Sequence, residues 1–256
     1  MLHPLITTAS PPMPRASLVS EQPCQRCVSC CVRPACVFGV LKEGALRQIH
    51  HRIDAISLDP GQVLFSAQLP GTAVFTIRSG VVRIEKTDAQ GDRRILRLAG
   101  RGDFLGPEAM LNQTYATNAI ACTPVQACRI PRLQIEDLMR LQPDLAVTLM
   151  KRWQRTLDDA DEWLTELTRG PVRQRMLRLL LKLCEYNEEI TGLIWLPSRQ
   201  EMGAMLDMTF ETASRLVSAL RREGILVPID SRHARIEMDA LLNALREESQ
   251  ATEDPG

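Results

Sequence analysis

The sequence lacks an excess of charge of either sign. It has 31 Lys and Arg residues against 31 Asp and Glu residues, so its formal net charge is zero. A uniformly basic protein that coats nucleic acid is therefore excluded, and DNA binding would need a local basic face. No apolar run reaches the roughly 18 residues of a membrane-spanning helix, so we expect no membrane partner.

A secretory signal is lacking as well. The first 23 residues contain five prolines and no long apolar core. This composition is typical of a disordered tail rather than of a signal peptide. We therefore expect residues 1–23 to be a tail and the protein to be cytoplasmic, where thiols stay reduced.

Cysteine is concentrated in one short segment. Five of the eight cysteines lie within thirteen residues, at Cys24, Cys27, Cys30, Cys31 and Cys36. In a reducing compartment such a group indicates metal binding or redox chemistry rather than a disulfide framework. Cys122 and Cys184 lie in apolar patterns and are interpreted as small buried side chains.

The middle of the chain has the pattern of a β-rich domain. Turn signals recur about every ten residues between 57 and 132, and the runs between them are rich in β-branched and aromatic residues. Short strands at this spacing predict a sandwich or a barrel. Upstream, apolar residues at helical spacing predict a short helix over 37–56.

A long helix is predicted between Pro143 and Gly170. Positions at alternating spacings of three and four residues form a heptad pattern, the predicted seam: Leu149, Trp153, Thr156, Ala160, Trp163 and Leu167. The pattern indicates a coiled-coil helix that pairs with a second copy, and packing on its own domain is the alternative. Four carboxylates of the same helix would weaken the pairing if they faced their copies: Asp158, Asp159, Asp161 and Glu162.

A helix-turn-helix is predicted near the C-terminus. Ser198 and Glu201 have the spacing of a capping box, and Thr209 can cap a second helix over 210–222 after a tight turn at Asp207. One face of the second helix is apolar and another is polar, which is typical of a helix that reads DNA. A solvated helix in an unrelated helical domain is the alternative. Residues 225–236 predict a β-hairpin wing.

The polar face of the second helix suits a major groove. Arg215 can pair bidentately with guanine, Glu211 can accept from cytosine and orient the arginine, and Ser214 can contact a thymine or adenine edge. Five further residues are expected to contact the DNA backbone: Arg199, Thr209, Ser218, Arg221 and Arg222.

These features resemble the CRP/FNR superfamily of bacterial transcription regulators over nearly the whole chain after residue 24. The string Glu-Thr-Ala-Ser-Arg at 211–215 resembles the E-x-x-S-R recognition motif of the FNR branch, and Gly-Asp-Phe-Leu-Gly at 102–106 resembles the superfamily's β-roll signature. Asp207 departs from the glycine that relatives often have in the turn, although aspartate tolerates a left-handed conformation better than most residues.

The resemblance implies an α+β chain in three parts with a polar tail. The cysteine cluster and an N-terminal β-roll sensor, a jelly roll like that of cyclic-nucleotide-binding domains, would occupy 24–142. A dimerisation helix would occupy 143–170 and a C-terminal winged helix-turn-helix 171–246, followed by the tail over 247–256.

The resemblance also implies a cofactor. FNR proteins carry an oxygen-labile 4Fe–4S cluster on a C-x2-C-x5-C pattern and one distant cysteine before Ile-Pro. Here Cys27, Cys30, Cys36 and Cys128 match those positions, with Cys24 and Cys31 as alternative ligands. A zinc site or a thiol–disulfide switch on the same fold stays open, as does an electron carrier without DNA binding.

The partners follow from the same resemblance. A homodimer would bind a palindrome with half-sites like TTGAT, would contact RNA polymerase and would release DNA when oxygen destroys the cluster, and no enzymatic activity is implied. Relatives that bind cyclic nucleotides hold the phosphate with an arginine, which residues 106–117 lack, so no cyclic nucleotide is expected.

Overall fold

The computed structural model describes residues 30, 32–33, 36–41, 43–44, 52–186 and 192–253. In these ranges the N-terminal half forms two four-stranded antiparallel sheets, with strand orders β1-β8-β3-β6 and β2-β7-β4-β5. The strands are β1 Asp54–Leu58, β2 Val63–Phe65, β3 Ala73–Ser79, β4 Val82–Thr87, β5 Arg93–Ala99, β6 Phe104–Leu105, β7 Asn118–Ala121 and β8 Val125–Pro131. The predicted β-sandwich or barrel is confirmed.

The alternation of buried residues explains the strand at 54–58. Ile56 and Leu58 are buried at a spacing of two, and the whole strand pairs with β8. The helix predicted over 37–56 is therefore wrong at its C-terminal end. Its N-terminal end is a short 3₁₀ helix, Val37–Val40, whose Phe38 joins the core of the β domain.

The second half of the chain is mainly helical. The helices are α1 Arg132–Leu141, α2 Asp144–Thr168, α3 Val172–Glu185, α4 Arg199–Leu206, α5 Phe210–Arg222 and α6 Met238–Glu253. A three-stranded sheet completes the C-terminal unit, with β9 Leu193–Trp195, β10 Leu226–Pro228 and β11 His233–Ile236. Residues 247–253, which composition predicted as part of a tail, continue helix α6. None of the described helices has the length and apolar character of a membrane span.

Helix α2 carries the predicted seam, but half of that seam faces inward. Leu149 lies in the core of the β domain, and Trp163 and Leu167 lie in the core of the C-terminal unit. Large apolar side chains are exposed elsewhere on α2, where Met150 is 59% and Leu157 and Leu164 are each 57% accessible. The prediction was wrong for Leu149, Trp163 and Leu167, because two neighbouring rows of this helix are both apolar.

Candidate DNA-reading surface and cysteine pocket

Both helices of the helix-turn-helix begin at side-chain caps. The Ser198 hydroxyl accepts from the Glu201 N–H, and the Glu201 carboxylate accepts from the Ser198 N–H, so the capping box is present. Asp207 then adopts a left-handed conformation with φ of 55°, and Thr209 accepts from the Thr212 N–H at the start of α5. The predicted turn and both caps are confirmed.

Helix α5 separates a buried face from a solvent face. Ala213, Val217 and Leu220 are buried in the C-terminal core. Glu211, Arg215 and Ser218 are exposed, and Ser214 is half-buried. The helix therefore presents a polar row at a spacing of three and four residues, the arrangement that a major groove accepts.

The Arg215 guanidinium is held by a neighbour other than the predicted one. It donates to the Thr212 hydroxyl at 3.5 Å, and within the described residues it forms no ion pair with Glu211. The predicted orientation of Arg215 by Glu211 is thus not a feature of this structure. An exposed guanidinium with one weak contact can still turn towards a base.

Positive charge gathers beside α5. Burial lowers the pKa of Arg199, and the nearby charge of Arg221 lowers it further, so the two guanidiniums lie close enough to repel. Arg222 is exposed and donates to the Ser218 carbonyl at 3.4 Å. A phosphate between Arg199 and Arg221 would relieve their repulsion.

The β domain contacts the helix-turn-helix through charged side chains. The buried Glu201 carboxylate accepts from Arg83 of β4 at 3.0 Å and from Arg232 of the wing at 2.6 Å. Burial raises the pKa of Glu201, but the hydrogen bonds from Ser198 and Arg232 outweigh it and hold the pKa below its ordinary value. A second, exposed ion pair joins Arg94 of β5 to Asp207 in the turn.

Three of the four predicted cluster ligands meet in one pocket. Cys30, Cys36 and Cys128 line it together with Val32, Phe38 and Ile53, so its walls are largely apolar. Cys128 comes from the central strand β8 and is flanked by Ala55 on β1 and Thr76 on β3. We call this site the cysteine pocket.

Cys36 immediately precedes the 3₁₀ helix of the cysteine segment, and its thiol donates to the Arg33 carbonyl at 3.3 Å. Burial raises the pKa of its thiol, while the N–H groups of Phe38 and Gly39 and the charge of Arg152 act in the opposite direction. Arg152 belongs to α2, so the cysteine segment lies against that helix. Arg33 and Arg78 bring further positive charge to the pocket.

The remaining predicted ligands cannot be placed. Cys24, Cys27 and Cys31 lie outside the described residues. Across the described ranges, no group of three His, Cys, Asp or Glu side chains has the arrangement of a single-ion site. Cys122 is buried as predicted and has a pKa raised by burial to about 12, whereas Cys184 is half-buried.

Aromatic side chains fill the interior of the β domain where residues 106–117 cover it. The Phe65 ring stacks on Tyr115 at a centroid distance of 4.3 Å and on Phe75 at 5.6 Å. The buried Tyr115 hydroxyl donates to the Ala73 carbonyl at 2.7 Å. The expectation of no cyclic nucleotide stays a prediction, to which this packing adds support.

Sequence reasoning missed three residues of these sites: Arg83 and Arg232, which pair with Glu201, and Thr76. The ion pairs of Glu201 join positions far apart in the chain, so no local pattern announces them. Thr76 carries a weak signal, because it is the polar residue in the apolar run 73–77. Only the pairing of β3 with β8 shows that it lies opposite Cys128.

Comparison with known proteins agrees with this architecture. A cyclic nucleotide-binding domain model matches residues 55–142, and a Crp-like helix-turn-helix domain model matches 174–244. The transcriptional activator protein FnrL of Cereibacter sphaeroides is 29% identical over 217 residues, 81% of this chain and 86% of that protein. The nitrogen fixation regulation protein FixK of Bradyrhizobium diazoefficiens is 27% identical over 207 residues, 79% of this chain and 86% of that protein.

A solved structure shares the fold. FixK2 from Bradyrhizobium japonicum aligns with a TM-score of 0.66 at 24% identity, covering 75% of this chain and 96% of that one. These relatives are named as a transcriptional activator and as a regulation protein of nitrogen fixation, not as enzymes. With its β domain, linking helices and C-terminal helix-turn-helix, the chain belongs to the CRP/FNR family of DNA-binding transcription regulators.

Proposed function

We propose that this protein is a cytoplasmic, dimeric, oxygen-responsive regulator whose sensor is a 4Fe–4S cluster. Cys27, Cys30, Cys36 and Cys128 would hold it. Cys24 and Cys31 are the alternative ligands, and Cys31 could replace Cys30. The observation that carries the proposal is the convergence of Cys30 and Cys36 with the distant Cys128 in one apolar pocket.

The residues of the cysteine pocket fit such a group. Thiolates are the ligands that iron–sulfur clusters use. Arg33 and Arg78 line the pocket, and the charge of Arg152 lowers the pKa of the Cys36 thiol against the larger, opposite effect of burial. The apolar walls limit access of water. A cluster bound there would supply an oxygen-labile connection between the cysteine segment and strand β8.

The cysteine segment is connected to α2 by packing. Phe38 and Leu41 share a buried core with Leu145 and Leu149 of α2. Fixing Cys30 and Cys36 against Cys128 would therefore fix this part of α2 from its buried side. When the segment is released, the same turns of α2 lose those neighbours.

The opposite side of α2 supplies the pairing surface. Met150, Trp153, Leu157 and Leu164 are exposed and follow spacings of three, four and seven residues. We call them the exposed row, and it retains the heptad phase of a coiled coil. We infer that the exposed row, which shares Trp153 with the predicted seam, packs against the second copy.

The acidic residues oppose this pairing less than their number suggests. Glu162 pairs with Lys182 of α3 at 3.0 Å, and Asp158 accepts from Gln154 at 2.8 Å. Two of the four carboxylates thus have partners in their own chain. A moderate stabilisation of α2 by the cysteine segment would then suffice to shift the dimer equilibrium.

The paired α5 helices would read the DNA. A two-fold dimer presents its two recognition helices to half-sites about one helical turn apart, which requires a palindrome. Arg215 would contact guanine, with Glu211 and Ser214 beside it. Arg199, Arg221 and Arg222 would neutralise phosphates, with Thr209 and Ser218 nearby.

Iron and acid-labile sulfide per chain, measured on protein purified without oxygen, test the proposal. We expect about four of each in the wild type, as the cluster type requires. Cys128→Ala should lose both together with the dimer, whereas the matched control Cys122→Ala should retain them. Zinc in place of iron, or a Cys128→Ala protein with full iron, would overturn the cluster assignment.

A further inference from the structure

Thr76 carries an unexplained polar group in the cysteine pocket. Its side chain is only 3% accessible, and its hydroxyl has no hydrogen-bond partner within the described part of the chain. A buried hydroxyl without a partner costs stability, so native proteins rarely retain one. An apolar residue of the same shape, such as valine, would avoid this cost.

The position of Thr76 points to the missing partner. Thr76 lies directly opposite Cys128 in the pairing of β3 with β8, so both side chains project from the same face of the sheet. The other neighbour of Cys128 across the ladder is Ala55, which has no polar side-chain atom. Thr76 also lines the pocket that holds Cys30 and Cys36.

We propose that Thr76 is a positioning residue that donates its hydroxyl hydrogen to sulfur at the Cys128 corner of the bound cluster. The inference rests on the proposed function above. A hydroxyl donor stabilises negative charge on sulfur, and hydrogen bonds of this kind set how readily an iron–sulfur group loses electrons. Thr76 therefore prolongs the life of the cluster in air.

The proposal predicts opposite effects of one substitution in two forms of the protein. In the cluster-free form, Thr76→Val removes an unpaired buried hydroxyl, so the thermal unfolding midpoint should stay equal or rise. In the cluster-loaded form it removes a hydrogen bond, so the visible absorbance of the cluster should bleach about fivefold faster in air.

The measurement uses full-length protein loaded without oxygen, with absorbance followed after exposure to air-saturated buffer. Thr76→Ser keeps the hydroxyl, so its cluster absorbance should bleach at the wild-type rate. If Thr76 acted only through the packing of its methyl group, Thr76→Ser would bleach faster than the wild type. Bleaching of Thr76→Val at the wild-type rate would overturn the inference.

The loading step separates this inference from the proposed function. If wild-type protein contains no iron and sulfide, the proposed function fails before the variants are compared. If the wild type contains about four of each and Thr76→Val bleaches at the same rate, only the role of Thr76 fails. Iron content of the variants before exposure excludes a simple defect in loading.

Discussion

The helix-turn-helix and the cysteine pocket differ in the sequence separation of the residues that form them. In the helix-turn-helix, which we call the reader, the first N–H groups of both helices bond to side chains within a few residues. These side chains are Ser198, Glu201 and Thr209, and the polar face of α5 forms without a partner. The cysteine pocket joins Cys30 and Cys36 to Cys128 from a distant strand and leaves the Thr76 hydroxyl without a partner in the described residues.

The helix-turn-helix is formed mainly by residues close in sequence, whereas the cysteine pocket is formed by residues from distant segments. The helix caps and the buried face of the helix-turn-helix form from its own residues. Glu201 and Asp207 add ion pairs to Arg83 and Arg94 of the β domain. The cysteine pocket depends instead on residues that are distant in the chain, and under the proposed function a bound cluster would connect them. Under the proposed function, regulation would act on how two helix-turn-helix units are brought together, not on the unit itself.

Changing Arg215 should break the reader and leave the pocket intact. Each guanine contact contributes roughly 1–3 kcal/mol, and a dimer makes two, so Arg215→Ala should weaken binding to a TTGAT-like palindrome about a hundredfold or more. Cluster content and dimerisation should not change. Fluorescence anisotropy with specific and scrambled duplexes measures the effect.

The matched control for this prediction is Arg222→Ala. A lost phosphate contact should weaken binding to both duplexes alike and reduce the salt dependence. If Arg215→Ala kept the wild-type preference for the palindrome, α5 would not be the base-reading helix in the way we assign it.

Changing the exposed row should separate two intact readers. Leu157→Ala removes apolar surface from both copies in the pairing, which should raise the dimer dissociation constant about tenfold or more. Leu133→Ala on α1 is a control, because Leu133 is equally exposed but lies off the exposed row. Sedimentation of oxygen-free protein measures both. Equal dissociation constants for the two variants would place the pairing surface elsewhere.

Changing Glu201 should loosen the contact between the helix-turn-helix and the β domain. Glu201→Gln leaves Arg83 and Arg232 without their shared carboxylate and should lower the free energy of unfolding by about 2 kcal/mol at neutral pH. Chemical denaturation measures the loss. The exposed Glu237→Gln is the control and should change little.

The Glu201 effect should depend on pH in a defined direction. Because the folded pKa lies below the ordinary glutamate value of about 4.3, the contribution is complete above that pH and is lost as the pH falls through the folded value. The wild type and Glu201→Gln should therefore converge in stability at strongly acidic pH. If the free energies of unfolding of the two proteins differed by the same amount at every pH, the ionised carboxylate of Glu201 would not be the stabilising group.

Local features of this fold could be predicted from sequence, and non-local ones could not. The capping box at Ser198 and the end of α5 at Arg222 depend on neighbouring residues, and both were predicted correctly. The heptad of α2 was predicted, but three of its six residues are buried within the chain. Leu149 and Met150 are both apolar, and only packing shows which of them is buried.

The cysteine pocket shows the same limit. The family resemblance selected Cys128, but the neighbour that completes its surroundings, Thr76, depends on the pairing of β3 with β8. Strand 54–58 was missed because two apolar residues at a spacing of two are too few to outweigh a helical pattern upstream. Strand register and ion pairs between domains arise from tertiary packing.

The central claim is that occupancy of the cysteine pocket controls assembly of two readers. Its most direct test measures, on one oxygen-free sample before and after air exposure, both sedimentation and binding to the palindromic duplex. We predict a DNA-binding dimer that becomes a weakly binding monomer as the cluster absorbance disappears. A dimer that keeps its affinity after complete loss of the cluster would contradict the account.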